Sequence, residues 1–340
     1  MIALAARRIL RPDGSLDPGT VVIDGDRIEA VLDDAGAEPP DRTLAPGLVD
    51  LQVNGLGDLD VAGDIEALGR VLADAGTTSW CPTLTSRPLP AYAAWLAAHP
   101  DPAPGEIGLH LEGPFLAPTR AGAHDRDALR PPDAAWLARL PARVRIVTLA
   151  PELPGGLGAV AQLASAGLVI ALGHSDATYE EGVAAAALGA SLVTHVFNAM
   201  AALHHRAPGL VGAALTDPRL VPAVIGDAIH VHPAVLALIL GSGRAVLVSD
   251  SVCSTRLAVD GGAARLADGT LAGTVITLAH AVRNAVVAGV PLGTALTAAT
   301  STPADVVGRP DLGRLAPGAR ADVIAFDPRL RVVETWAAGR

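Results

Sequence analysis

The amino-acid sequence predicts an α/β protein: a (β/α)8 TIM-type barrel with a small β-sandwich domain built from both chain termini. Eight short runs of apolar, β-branched character occupy the middle of the 340-residue chain. Alanine-rich segments with apolar residues at helical spacing separate most of these runs. Strands that alternate with helices predict parallel pairing, and eight such units predict a closed barrel.

The eight predicted strands span residues 47–54, 78–84, 107–113, 144–151, 168–175, 191–198, 221–230 and 245–251. They are apolar almost throughout, which is typical of strands covered on both faces. Helical spacing is clearest at residues 65–75, 92–98, 157–166 and 179–188. Residues 274–307 are predicted to be helical and to complete the outer ring of the barrel.

The two ends of the chain differ from the middle. Near the N-terminus the turn signals PDG and DGD separate short strands, and the last 28 or so residues show a similar pattern. We therefore expect residues 1–44 and 313–340 to form the small β domain together. Residues 45–312 are then the catalytic barrel.

Composition excludes several classes of function. The net charge is −10 and the basic residues are scattered, so we expect no nucleic-acid partner. The sequence contains no run of 18 apolar residues and no long apolar leader, so we expect no membrane span and no signal peptide. Two cysteines cannot form a disulfide scaffold, so we expect a cytoplasmic location. All 25 basic residues are arginine. Without lysine, Schiff-base and P-loop chemistry and metal sites bridged by a modified lysine are excluded.

Polar residues cluster where the predicted strands end, which is the end of such a barrel that carries catalysis. Glu112 closes LHLEGP, His174 lies in ALGHSDAT and His195 lies in VTHVFNAM. One carboxylate and two imidazoles leave room for water in a tetrahedral shell, as in catalytic zinc sites. Asp250, at the end of the eighth strand, would face the same opening as a general base.

Structural roles compete with this interpretation. A single histidine at a strand end is more often a hydrogen-bonded core residue, and a single aspartate often caps a helix. Four such residues at one end of one barrel favour the functional interpretation. The sequence is equally consistent with His110 as a residue that supports the metal ligands from behind and with His110 as a core histidine. Residues 204–206 fit an anion site or a solvated loop, and Cys81 and Cys253 fit packing.

Longer motifs carry a family resemblance. APGLVDLQVNG at 45–55 and GRLAPGARADVIAF at 313–326 are similar to the opening and closing signatures of the amidohydrolase superfamily. HLEGPFLAPTRAGAHD, TLAPE, GHSDATYEEG, THVFNAM, HHRAPGLVGAAL, GDAIHVHP and GTLAGT follow between them. In these motifs and their order the chain resembles the N-acetylglucosamine-6-phosphate deacetylase family. The resemblance implies a metal-dependent hydrolase that releases acetate from that amino sugar phosphate.

The resemblance also assigns roles to residues. It implies that Glu112, His174 and His195 bind the metal, that Asp250 is the general base, and that His124 helps to polarise the acetyl carbonyl. It implies a homodimer in which one substrate contact, an arginine, comes from the neighbouring subunit. The implied substrate contacts are Ala123, Asn198, Ala199, Arg206, His230, Ala272, Gly273 and Thr274, with Arg206 the one that crosses the interface.

The first predicted strand bears on the number of metal ions. Many amidohydrolases carry His-x-His there, whereas this chain carries Gln52-x-Asn54. This resembles the mononuclear deacetylases, so we expect one divalent ion per subunit, zinc ahead of iron, manganese or cobalt. Gln52 and Asn54 would then lie behind the ligands or reach the ion through water.

Two departures from the family pattern lie on the sugar side of the expected pocket. The segment 251–270 is shortened, and the loop 200–207 lacks an acidic residue next to Arg206. The alternatives are therefore a deacetylase of another N-acyl amino sugar phosphate or of an N-acyl amino acid, and an inactive scaffold. A scaffold of this kind usually loses its ligands, whereas Glu112, His174, His195 and Asp250 are all present here.

Overall fold

A computed structural model describes residues 1–255 and 257–340. In chain order its strands are β1 (Ile2–Leu10), β2 (Leu16–Asp24), β3 (Arg27–Leu32), β4 (Thr43–Pro46), β5 (Leu48–Val53), β6 (Gly55–Leu56), β7 (Leu59–Asp60), β8 (Thr77–Leu84), β9 (Leu109–Glu112), β10 (Val144–Leu149), β11 (Val169–Leu172), β12 (Ala190–Val193), β13 (Val221–Ile225), β14 (Val246–Val248), β15 (Ala258–Asp260), β16 (Ala263–Arg265), β17 (Leu271–Thr274), β18 (Val323–Phe326) and β19 (Val332–Trp336). The α-helices are α1 (Ile65–Asp74), α2 (Leu89–Ala98), α3 (Ala134–Leu137), α4 (Gly156–Ser165), α5 (Tyr179–Ala187), α6 (Gly209–Thr216), α7 (Pro233–Leu240), α8 (Leu278–Val287), α9 (Leu292–Ala298) and α10 (Ser301–Val306).

The eight predicted runs form the parallel barrel, which confirms the predicted fold class. Their order in the sheet is β14-β13-β12-β11-β10-β9-β8-β5. Apolar side chains such as Leu51, Ile146 and Val246 fill the interior, and a larger apolar layer packs between the strands and the surrounding helices. Because the strands are parallel, all their carboxyl ends open on one side of the barrel.

Local sequence signals explain where the outer helices begin. Asp64 caps α1 by accepting a hydrogen bond from the backbone N–H of Ala67 at 2.8 Å. Thr178 and Glu181 form a reciprocal capping box at the start of α5. Capping of this kind supports α5, whose buried side is made of small residues. The predicted helical stretch 274–307 divides into α8, α9 and α10.

The two chain termini share one mixed sheet, as the sequence predicted. Its strand order is β19-β18-β4-β1-β2-β3, so the C-terminal hairpin pairs with β4. The sheet includes Pro46 at the end of β4, two residues beyond the predicted domain limit at residue 44. Arg320 ties this sheet to the barrel by donating to Ser79 Oγ at 2.6 Å and to the Thr78 carbonyl at 3.2 Å.

A further small sheet, β15-β16-β17, follows the last barrel strand. It joins the barrel where an isolated bridge pairs Thr274 with Ser251. The helices of the described chain are at most ten residues long, and none of them is long and apolar enough to cross a bilayer.

Candidate active site

A cavity of about 850 Å³ lies at the carboxyl ends of the barrel strands. The predicted metal ligands Glu112, His174 and His195 line it, together with the predicted base Asp250 and with His124. The predicted substrate contacts that also line it are Ala123, Asn198, Ala199, His230, Ala272 and Gly273. The fold therefore brings residues separated by more than 100 positions in the sequence into one chamber.

Backbone strain is concentrated at this site. His174, His195 and Asp250 have positive φ angles of 47°, 27° and 47°. Such angles are uncommon for residues other than glycine, and they persist only where the surrounding structure holds them. Each of these residues lies two positions after the last residue of a barrel strand. The strain turns these three side chains toward the chamber.

The three predicted ligands converge on one point. His174 Nε2 lies 3.1 Å from His195 Nε2, and Glu112 Oε1 lies 3.2 Å from the first and 3.0 Å from the second. Ligand atoms held at about 2.0–2.1 Å around a tetrahedral ion lie roughly this far apart. All three side chains are at most 6 % exposed. The donor set and its spacing therefore fit a divalent metal ion.

Hydrogen bonds to the ring Nδ1 atoms give His174 and His124 different roles. The Nδ1 of His174 lies 2.7 Å from the carbonyl oxygen of Arg120, so it carries the proton and leaves a lone pair on Nε2. The Nδ1 of His124 instead accepts the backbone N–H of Ser86 at 3.1 Å. In the neutral ring, His124 thus carries its proton on Nε2. Although Glu112, His124 and His174 also lie close enough to share an ion, His124 is arranged as a hydrogen-bond donor.

Gln52 and Asn54 support the site from the first barrel strand. Gln52 donates from its side-chain amide to Glu112 Oε1 at 3.1 Å, and Asn54 donates in the same way to Asp250 Oδ1 at 2.9 Å. Each amide thus orients one carboxylate of the predicted machinery. Gly273 packs against the other side of Asp250, since a Cβ there would lie only 2.6 Å from the Asp250 carbonyl oxygen.

The two carboxylates have opposite electrostatic environments. Burial alone would raise the pKa of Glu112, but its contacts with His124, His174 and His195 hold this pKa well below the usual range. Burial and the negative charge of Glu112 raise the pKa of Asp250 to about 8. Glu112 is therefore arranged to stay ionised, and Asp250 is arranged to exchange a proton near neutral pH.

His230 has a carboxylate partner of its own. Its Nδ1 lies 2.7 Å from Asp227 Oδ2, and Asp227 Oδ1 accepts two backbone N–H groups of the same loop. Burial raises the pKa of Asp227, but the contact with His230 lowers it, and the net effect is a decrease. Asp227 thus fixes the orientation of His230 at the cavity wall.

Two of the predicted substrate contacts do not line the cavity of this chain. Thr274 is buried, and it binds the Asp250 carbonyl through its N–H at 2.9 Å and the Ser249 carbonyl through its hydroxyl at 2.7 Å. Arg206 is exposed, with its guanidinium 2.9 Å from His205 Nε2. Thr274 supports Asp250 from behind, and Arg206 lies on the outer surface.

The structure resolves the alternatives for His110 in favour of the core. Its ring nitrogens contact the Leu51 carbonyl at 2.9 Å and the Thr148 hydroxyl at 2.7 Å inside the barrel. Cys81 is also buried there, whereas Cys253 is partly exposed and lines the cavity. Arg256, within the shortened segment, lies outside the described residues.

Sequence reasoning missed three supporting residues: Ser86 beside His124, Arg120 beside His174, and Asp50 on the first barrel strand. Arg120 acts through its main-chain carbonyl, which leaves no signal in residue type. Ser86 contacts His124 Nδ1 through both its main-chain N–H and its hydroxyl, and a single serine in a loop is too common to stand out in the sequence. Asp50 did leave a signal, because a carboxylate in the apolar run GLVDLQV is unusual for a strand covered on both faces.

The chain is similar to known proteins over almost its whole length. The amidohydrolase family matches residues 43–340. N-acetylgalactosamine-6-phosphate deacetylase of Escherichia coli O157:H7 is 35% identical over 370 residues, covering 99% of this chain and 98% of its own. The crystal structure of N-acetylglucosamine-6-phosphate deacetylase from Thermotoga maritima matches with a TM-score of 0.93 at 28% identity, over 100% of this chain and 99% of its own.

A structure of a mutant of the Mycobacterium smegmatis N-acetyl-D-glucosamine-6-phosphate deacetylase, in complex with N-acetyl-D-glucosamine-6-phosphate, matches with a TM-score of 0.89. Its identity is 33%, and the match covers 100% of this chain and 98% of that one. The family match spans most of the sequence, and the barrel end that carries the converging histidines lies within it. The chain is therefore a member of the amidohydrolase family, closely related to the deacetylases of N-acetylated hexosamine 6-phosphates.

Proposed function

We propose that this protein hydrolyses the acetamide of N-acetylglucosamine 6-phosphate to glucosamine 6-phosphate and acetate. The observation that carries the proposal is the convergence of Glu112, His174 and His195 in one chamber with Asp250. Such a set matches the chemistry of amide hydrolysis, and relatives that share this fold over the whole chain are named as deacetylases of this substrate.

Glu112, His174 and His195 would hold a single divalent ion, zinc ahead of iron, manganese or cobalt. Bound there, such an ion would lower the pKa of a water molecule and polarise the acetyl carbonyl. The carboxamides Gln52 and Asn54 offer only weak ligands where a second ion would need histidines. The Gln52 amide already donates to Glu112, which also opposes its use as a ligand.

Asp250 acts as the general base and then as the general acid. Its carboxylate takes a proton from the attacking water and returns it to the departing amine. Because a cation near Glu112 would offset the negative charge that raises the pKa of Asp250, the carboxyl ionises more readily in the metal-loaded protein. His124 donates from Nε2 to the oxygen on which negative charge develops.

The sugar phosphate would occupy the remainder of the cavity. Asn198, Ala199 and His230 line it on the side where we place the phosphate, and the backbones at Ala123 and 272–274 would contact the sugar. We further propose a homodimer in which Arg206 of the partner subunit completes the phosphate site. The exposure of Arg206, away from the cavity of its own chain, favours this arrangement. The two unpaired cysteines favour the cytoplasm.

N-acetylgalactosamine 6-phosphate is a second candidate substrate. It is favoured by the E. coli relative, which is named for that sugar and matches 99% of this chain. The two sugars differ only at the 4-hydroxyl, which would lie on the sugar side of the pocket, where the segment 251–270 departs from the family pattern. The reaction itself does not depend on this difference.

The test is acetate release across N-acetylated hexosamine 6-phosphates, their unphosphorylated forms and N-acetyl amino acids. We expect N-acetylglucosamine 6-phosphate to be turned over with the highest kcat/KM, and the parent sugar much more slowly. A higher kcat/KM for N-acetylgalactosamine 6-phosphate would make that sugar, instead of N-acetylglucosamine 6-phosphate, the substrate. Equal rates with and without phosphate would refute the phosphate site, and no acetate from any compound, with metal bound, would indicate an inactive scaffold.

A further inference from the structure

The first and last strands of the barrel meet at a seam that differs from the other strand junctions. Each pair of neighbours in the order β5-β8-β9-β10-β11-β12-β13-β14 forms a parallel ladder. The two end strands of the described barrel, β14 and β5, form no such ladder with each other. Between them the described residues show only a few main-chain contacts. These include Asp250 N–H to the Gln52 carbonyl at 3.1 Å and Asn54 N–H to the Ser251 carbonyl at 2.8 Å. The base Asp250 therefore lies on the least regular junction of the barrel.

A buried carboxylate spans this seam. Asp50 on β5 is 1 % exposed. Its two oxygens lie 3.3 Å from the backbone N–H of Ser249, the residue before Asp250, and one of them also accepts the N–H of Gln52 at 3.2 Å. Asp50 thus takes one donor from each side of the junction, in the place where a ladder would otherwise hold the strands together.

We propose that Asp50 is a positioning residue for the hydrolytic reaction, which holds the Ser249–Asp250 main chain against β5 and so sets the location of the base. Asp250 needs such support because its φ of 47° is unfavourable for an aspartate. The same carboxylate also fixes the backbone of Gln52, whose side chain reaches Glu112 at 3.1 Å. Glu112 has its own contacts with His174 and His195, so the direct target of Asp50 is the base, and Asp50 does not itself line the cavity.

A purely structural role explains this arrangement less well. A buried carboxylate without a cationic partner is a costly way to join two strands, and an apolar or amide side chain would fill the same volume at lower cost. No arginine or histidine of the described chain lies within ion-pair distance of Asp50. Its donors belong instead to Ser249, which precedes Asp250, and to Gln52, whose side chain contacts Glu112.

The test compares Asp50→Asn and Asp50→Ala with Asp322→Asn as a matched control. Asp322 is also buried and accepts a main-chain N–H, from Ala338 at 2.9 Å, but it lies in the terminal sheet region and, unlike Asp50, is paired with an arginine, Arg320. The asparagine variant keeps the volume of Asp50 while setting an NH2 group against its donors, and it remains informative if the alanine variant folds poorly. The readouts are kcat and KM for acetate release, bound metal, and amide hydrogen exchange followed by mass spectrometry.

We expect both Asp50 variants to lose about 10- to 100-fold in kcat, as for a catalytic group displaced by about 1 Å. KM and bound metal should change little, because Asp50 touches neither the ligands nor the cavity. Exchange should become faster in peptides that contain residues 249–251 and stay unchanged in strand β10. The control should keep the kcat of the wild type even if it melts at a lower temperature.

Three results would overturn the proposal: wild-type kcat in both Asp50 variants, wild-type protection at 249–251 in the alanine variant, or an equal loss of kcat in the control. Loss of bound metal from the Asp50 variants would also overturn it, because the effect would then act through the ligands. The activity readout rests on the proposed function. If the wild type releases no acetate from any sugar, that function fails, and the exchange experiment still decides whether Asp50 holds the seam.

Discussion

Replacing Asp250 by asparagine removes a proton acceptor while it preserves the size and shape of the side chain. Asp250 is 9 % exposed and accepts a hydrogen bond from the Asn54 amide at 2.9 Å. A rotated Asn54 can hydrogen-bond an amide equally well, so packing at the strand end should survive. Burial and the charge of Glu112 already raise the pKa of Asp250 to about 8, so the metal-free protein disfavours the ionised carboxylate. Replacing it by a neutral amide therefore removes no stabilising ion pair.

The expected loss is large and confined to the rate. General acid–base assistance is typically worth about 100- to 10,000-fold, which is about 2.7–5.4 kcal/mol of activation free energy. A residue that serves first as base and then as acid belongs at the upper end of that range. The assay measures kcat from acetate release, together with bound metal by elemental analysis and substrate affinity by calorimetry. Metal content and affinity should match the wild type.

His195→Asn is the informative counterpart. It removes one of three protein ligands, so the metal itself should bind more weakly, and an excess of metal should partly restore activity. The same excess should do nothing for Asp250→Asn. Metal loss from the Asp250 variant, or its rescue by added metal, would show that Asp250 is a ligand and would refute its assignment as the base.

Other variants test neighbouring parts of the site. His124→Asn should lower kcat about 100- to 1000-fold, as for an oxyanion donor, without loss of metal in elemental analysis; unchanged kcat would remove it from the mechanism. Arg206→Gln should raise KM for the phosphorylated sugar, and mixing it with Asp250→Asn should restore activity in re-formed dimers; no recovery after subunit exchange would argue against a shared site. Burial raises the pKa of Asp50 from 3.8 to about 6, so its ionisation destabilises the fold as pH rises through that interval. Relative to the wild type, Asp50→Asn should therefore gain about 2 kcal/mol in the free energy of unfolding between pH 4 and pH 7, measured with urea; a difference independent of pH would contradict this.

The architecture was predictable because it depends on local patterns in the sequence. Apolar runs bounded by turn residues located all eight barrel strands, and helical spacing located α1, α4 and α5 within one or two residues. Seven of the eight predicted strands were too long at their carboxyl ends, the exception being 78–84. The run 168–175 ends as a strand at Leu172, because His174 adopts a positive φ that turns it into the cavity. The predicted strand thus extended beyond the observed one and included a residue of the proposed site.

The supporting contacts were not predictable in this way. Whether a histidine presents a lone pair or an N–H depends on a main-chain group that folding brings beside its other nitrogen, as Arg120 and Ser86 show. The role of Asp50 depends on the closure of the barrel, which joins residues about 200 positions apart. The exposed position of Arg206 likewise emerges only from the folded chain. Residue type indicates the chemistry of this site, and long-range contacts determine how each group is used.

The most direct test of the central claim is a metal titration of activity. The protein is stripped of metal and reloaded stepwise, and acetate release from N-acetylglucosamine 6-phosphate is measured at each ratio of ion to chain. Hydrolysis at one ion held by Glu112, His174 and His195 predicts no activity without metal, a linear rise to one ion per chain, and a constant rate thereafter. Full activity in the stripped protein, or a rate that requires a second equivalent, would contradict it.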